Sequence, residues 1–101
     1  MVNYGRLRSF VAHCQTKGIE LMRDDIAYID RMLNKLPRND FKSVLTHYRD
    51  EWVIGKGEAK NAQGAQGFGR RRANLWLLAY CNEVEQKKVA NMVSSMRYEG
   101  G

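Results

Sequence analysis

The residues best suited to chemistry in this chain are three consecutive arginines, Arg70, Arg71 and Arg72, which close the stretch NAQGAQGFGRRR at positions 61–72. A guanidinium group stays charged at any physiological pH and presents its N–H donors in a fixed plane, so it suits phosphate and carboxylate alike. With Lys56 and Lys60, these arginines set five cations against one acid between positions 56 and 72. Residues 1–54 carry nine Lys/Arg and seven Asp/Glu, a balance of +2, while residues 55–101 carry eight and four, a balance of +4. The excess of the second half therefore lies in one patch, which is the electrostatic footprint of a phosphate-rich partner.

The other candidate groups do not converge in the same way. His13 and His47 fall in different segments with no metal-ligand spacing around them. The acid pairs Asp24–Asp25 and Asp50–Glu51 are adjacent, so on a helix their carboxylates point about 100° apart. Cys14 and Cys81 have no CxxC or CxxH partner, and each sits in an apolar pattern, which predicts small buried hydrophobes rather than a disulfide or a zinc site. No GxSxG, HExxH or Walker-type GxxxxGK[ST] motif is present. The order Gly64-x-x-Gly67-x-Gly69 reverses the dinucleotide fingerprint and follows no strand pattern. The sequence thus predicts no catalytic residue, no metal and no cofactor.

The elements that must position the arginines are helical. Tyr4, Leu7, Phe10, Val11 and Cys14 recur at helical spacing, predicting a first helix near residues 3–16 that stops at Gly18. Met22, Ile26, Ile29, Leu33 and Leu36 step by four, three, four and three, with Asp24 and Asp25 in the opening turns and Pro37 as a limit. A third helix opens at Asn39 or Asp40, carries Phe41, Val44, Leu45, Tyr48 and Trp52 on one face, and ends at Gly55. Five glycines at 55, 57, 64, 67 and 69 then predict a mobile loop. A final helix follows from about Arg70 through at least Glu85. Its segment Leu75–Cys81 is apolar on every side, which predicts burial all round. Val89, Met92, Val93 and Met96 form a further stripe, offset from Leu77, Cys81 and Val84, able to pack on this domain or on another chain. The fold class expected is all-α, a compact bundle of four or five helices in one domain spanning 1–101, with a glycine-rich loop at about 55–69 and fraying at 97–101. The longest apolar run, Leu75–Cys81, is far shorter than the roughly 18 residues of a membrane span, and the N-terminus lacks a signal-peptide core. A cytoplasmic protein with no membrane partner is expected.

Arginines at the start of a helix meet the positive end of its dipole, an arrangement disfavoured by roughly 0.3–1 kcal/mol each when exposed. Two compensations are open. The guanidinium groups and free backbone N–H groups could receive phosphate oxygens, or the arginines could pair with acids of a neighbouring helix such as Asp50 and Glu51. Phe68 could stack on a base or anchor the loop to the core.

"LPRNDFKSVLTHYRDEW", residues 36–52, resembles the start of the sigma-factor-type helix-turn-helix, in which a Leu-Pro pair precedes an amphipathic helix with an aromatic and acidic end. The resemblance stops at the glycine-rich stretch, which replaces the turn of about three to four residues that such a motif uses. It leaves only Arg70 to Asn74 to reach DNA. Over residues 24–85 this segment, together with "GRRRANLWLL", is similar to small helical accessory proteins of bacteriophages and prophages. That similarity implies action on host or phage nucleic-acid machinery.

Two functions are expected from these features. The first is a non-enzymatic, basic accessory protein that binds DNA or RNA through Arg70, Arg71, Arg72, Lys56, Lys60 and Asn74, mostly at phosphate. The second is an adaptor or inhibitor of a host replication, transcription or defence factor, with Val89, Met92, Val93 and Met96 as its protein interface or as a homodimer surface.

Overall fold

The computed structural model describes residues 5–99, with side chains through residue 94. Four α-helices account for most of them: α1 (Arg8–Thr16), α2 (Arg23–Leu33), α3 (Phe41–Glu58) and α4 (Ala62–Glu99), with short 3-10 turns at Gly5–Leu7 and Arg38–Asp40. No strand occurs among the described residues, and the fold class is all-α. Tyr4, at the start of the expected first helix, lies outside the described residues.

Local chemistry sets most of the boundaries. After α1, Gly18 takes φ +72°, a left-handed conformation that side chains oppose. Its N–H bonds Gln15 O at 3.1 Å and that of Ile19 bonds Cys14 O at 3.0 Å, satisfying carbonyls the helix leaves open. At the start of α2, Asp25 Oδ2 accepts the Met22 N–H at 2.9 Å. Asp24 and Asp25 both stand in the first turn, where carboxylates oppose the positive helix end.

The expected loop at 55–69 is not a loop. α3 continues through Gly55 and Gly57 to Glu58, α4 begins at Ala62, and only residues 59–61 connect them. Two local causes explain this. Asn61 Oδ1 accepts the Gly64 N–H at 2.9 Å, the geometry of a helix N-cap, so "NAQG" is a start signal. Gly55 and Gly69 mark the point where the two helices cross. A Cβ on Gly55 would lie 2.6 Å from Phe68 O and 2.7 Å from Gly69 Cα, and one on Gly69 would collide with the Trp52 indole and lie 2.7 Å from Trp52 O. Here glycine serves backbone contact, and its entropic penalty of roughly 1 kcal/mol in a helix is offset by the packing it permits.

The core is built around that crossing. α3 contributes Val44, Tyr48 and Trp52, α4 contributes Ala73, Leu77 and Cys81, and α2 adds Ile29, Met32 and Leu33. Cys14 and Cys81 are both free and both buried, as their apolar surroundings predict. Burial pushes the Cys14 thiol up to about 11 and raises that of Cys81 as well, so neither is a thiolate at neutral pH. Polar tips inside the core are satisfied. Tyr48 OH donates to Asn74 Oδ1 at 2.5 Å, and Trp52 Nε1–H donates to Gln66 Oε1 at 3.0 Å. Among the described residues no buried side-chain nitrogen or oxygen lacks a partner.

α4 outgrows the rest of the molecule. Its 38 residues span about 57 Å at 1.5 Å per residue, nearly the full 60 Å length of a molecule only 33 and 21 Å across. Its first half packs on α3 and α2. From Glu85 to Ser94 every side chain is exposed. α4 runs unbroken to Glu99, past the position where fraying was expected to begin, and residues 100–101 lie outside the described set.

Candidate functional site

The three arginines stand eight to ten residues inside α4, remote from its positive end. Successive helical positions turn by about 100°, so the three side chains diverge. Arg70 leans onto α2: its Nε lies 3.0 and 2.9 Å from the two oxygens of Asp25, an acid only 4% exposed, and its guanidinium sits 5.2 Å from the Trp52 ring centroid. Arg72 leans onto α3, donating to Glu51 Oε2 at 2.6 Å and Glu58 Oε1 at 3.0 Å. Arg71 is exposed and has no acidic partner among the described residues. Of the two compensations the sequence left open, Arg70 and Arg72 take the second: they pair with acids of neighbouring helices, with Glu51 among them.

The remaining cationic and amide candidates are divided in the same way. Lys56 Nζ donates to Gly18 O at 2.6 Å. Asn74 accepts from Tyr48 through its side chain, and its carbonyl lies 3.4 Å from Tyr28 OH, so it serves as an interior anchor. Gln66, in the glycine-rich stretch, holds three partners: it accepts from the Glu20 N–H at 3.1 Å and from Trp52, and donates to Gly18 O at 2.8 Å. Lys60 is exposed and, like Arg71, free of acidic partners among the described residues.

Beside Arg72, His47 Nε2 lies 3.2 Å from Glu51 Oε1, and the imidazole stacks on Trp76 at a centroid distance of 4.1 Å. Burial alone would raise the Glu51 pKa, but hydrogen bonds from Arg72 and His47 outweigh it and hold the carboxyl below its ordinary value. Glu51 is therefore a fixed anion bound to two partners. An open groove of about 630 Å³ along α3, lined by residues including Lys42, Ser43, His47 and Asp50, borders this cluster. Among the described residues no three His, Cys, Asp or Glu side chains are grouped to hold a metal ion, and no helix is long and apolar enough to cross a membrane.

The outer face of α4 presents a different chemistry. Leu75, Leu78, Val89, Met92 and Val93 are 41–64% exposed. Leu75 and Leu78 correct the expectation of burial all round: the core takes Ala73, Leu77 and Cys81 from this helix, and the flank bearing the two leucines faces solvent. Val89, Met92 and Val93 lie where the stripe predicts, while the side chain of Met96 is outside the described residues. Sequence reading missed the continuity between the two groups because it assigned Leu75 and Leu78 to the interior. The signal was their spacing, three and four residues, which continues down the helix.

Comparison with protein-family models, with curated proteins and with solved structures yields no match. The functional reading rests on the chain's own residues.

Proposed function

We propose that the chain is a non-enzymatic protein-interaction module whose contact surface is the outer face of α4. In the bacteriophage setting implied by the sequence resemblance, it would act as an adaptor or inhibitor on a host replication, transcription or defence factor. The observation that carries this reading is the run of exposed apolar side chains down the outer face of α4, which continues from Glu85 to Ser94 where every described side chain is exposed. Most helical stability in proteins comes from packing an amphipathic face, which the exposed end of α4 lacks among the described residues, and contiguous apolar surface on a small protein is characteristic of a binding site. Methionine and valine there can adapt to a partner.

A tagged wild-type chain and a Val89→Lys/Met92→Lys variant, each incubated with nuclease-treated lysate, test the reading. Both substitutions are at exposed positions, so folding stability should change by no more than about 0.5 kcal/mol each. The wild type should retain protein partners that the variant loses. Partners that vanish on nuclease treatment, or that bind both chains equally, would reject it.

A nucleic-acid reading draws its support from the net charge of +6 and from Lys60 and Arg71, the two exposed cations of the cluster without acidic partners among the described residues. In that case oligonucleotide affinity should fall with salt at a slope near −0.9 per duplex phosphate neutralised. A Lys60→Ala/Arg71→Ala variant should weaken it further, whereas equal binding by both chains would count against the reading.

A further inference from the structure

We infer that the partner of the α4 outer face is a second copy of this chain, bound antiparallel along α4 about a two-fold axis passing between Glu83 and Val84. This rests on the proposed role of that face in protein interaction and specifies its occupant. Leu75, Leu78, Asn82, Glu85, Val89 and Met92 are all exposed and follow one another at steps of three, four, three, four and three. This is the a/d spacing that lets two helices interlock over an extended seam. The buried flank of α4, marked by Ala73, Leu77 and Cys81, is separate from this line, so the seam can be occupied without disturbing the core.

The polar residues within the seam select orientation and register. In a parallel, in-register pair Glu85 would face Glu85 of the other copy, and Arg71, the preceding residue of the spacing, would face its own equivalent. Both like-charge contacts would be desolvated. In the antiparallel arrangement about the axis between Glu83 and Val84, Leu75 meets Met92 of the other copy, Leu78 meets Val89, and Asn82 meets Glu85, each contact occurring twice. The Asn82 amide then donates to the Glu85 carboxylate, so the two polar positions satisfy each other between apolar layers. Sliding one helix by seven residues in one direction sets Leu75 against Glu85 and Leu78 against Asn82. Sliding it the other way sets Glu85 against Val89 and Asn82 against Met92. The two central polar layers within an otherwise apolar seam fix register at some expense of stability, so the association should be concentration-dependent. The heads built by α1, α2 and α3 would lie at opposite ends of the pair, which keeps two chains of net charge +6 apart.

Sedimentation equilibrium of the full chain across a concentration series tests association, and disulfide trapping tests geometry. The wild type should reach the mass of two chains as concentration rises. Leu78→Lys should raise the dissociation constant by at least about tenfold, the scale of a hot-spot residue, with unchanged circular dichroism at low concentration. For trapping, Leu78→Cys and Val89→Cys chains are prepared separately and mixed under mild oxidation; the native thiols are buried and do not compete. Disulfides joining a Leu78→Cys chain to a Val89→Cys chain are expected. Like-to-like disulfides within each single preparation, with none between the two, would overturn the antiparallel assignment. A monomer at every concentration would overturn self-pairing. If Val89→Lys/Met92→Lys still abolished capture of lysate proteins, the contact role of the face would stand without its self-pairing; with no such capture, both would fall.

Discussion

The two halves of α4 are continuous in backbone and opposite in circumstance. Between Gly69 and Cys81 the helix is embraced by α3 and α2, Arg70 and Arg72 are shared among Asp25, Glu51 and Glu58, and its aromatic and amide groups have named partners. Between Glu85 and Ser94 every side chain meets solvent, although the sequence there still offers apolar groups at helical intervals. Apart from Arg71, Leu75 and Leu78, which face solvent, the first half accounts for its charges and apolar groups within the molecule. The second does not, and this is why the intermolecular role proposed above is assigned to the helix's outer face rather than to the arginines. A cluster of like charge is informative only after the acids around it have been located.

The contrast can be broken most severely at the crossing. Gly69→Val would drive a branched side chain into Trp52, and it should lower stability by about 3 kcal/mol or more, the upper range for overpacking a dense interior. Urea unfolding would measure this. A variant as stable as the wild type would mean that the α3–α4 approach is looser than described.

A smaller effect is expected at Asp25, which is 4% exposed and joins the α2 start to α4 through Met22 and Arg70. Replacing one partner of a buried ion pair is strongly destabilising. Because the Arg70 side chain is 30% exposed and can regain water, Asp25→Ala should cost about 2 kcal/mol, below the roughly 3–5 kcal/mol of a fully buried pair. Hydrogen exchange would show protection falling in residues 70–81 and unchanged beyond residue 85.

The smallest effect should appear as a pH dependence. The Glu51 carboxyl is held below its ordinary value by Arg72 and His47 after burial is overcome. A depressed folded pKa contributes stability above the unfolded value of about 4.3, and that contribution disappears as pH falls through the folded pKa. Glu51→Gln should therefore flatten the acid side of the melting-temperature profile while barely altering the slope near neutrality. An acid limb identical to that of the wild type would remove Glu51 from the account of the head's stability.

Much of the head was legible from periodicity. Ile26, Ile29 and Leu33 placed α2, Gly18 marked the end of α1, and the apolar surroundings of Cys14 and Cys81 foretold their burial. The glycine-rich stretch misled because the same residue type serves flexible chain and close helix contact. Nothing local in "NAQGAQGFG" tells that Gly55 and Gly69 will meet across space, although Asn61 as an N-cap was available to be read. Arg70 and Arg72 misled for a related reason. Their partners Asp25, Glu51 and Glu58 lie 45, 21 and 14 residues away in sequence, and pairing over such separations follows from topology. Leu75 and Leu78 show the converse limit. An apolar segment identifies what could be buried, and the number of neighbouring helices decides how much of it is.

The placement of the two tryptophans follows from the same architecture. Trp52 is sealed at the seam between Arg70 and Gln66, and Trp76 is stacked between His47 and Tyr80. Both indoles belong to the head, and the sequence has no others. The protein's tryptophan emission is thus a private signal of one end of the molecule, deaf to the winding or unwinding of the exposed end, whereas the peptide ellipticity of α4 sums over both.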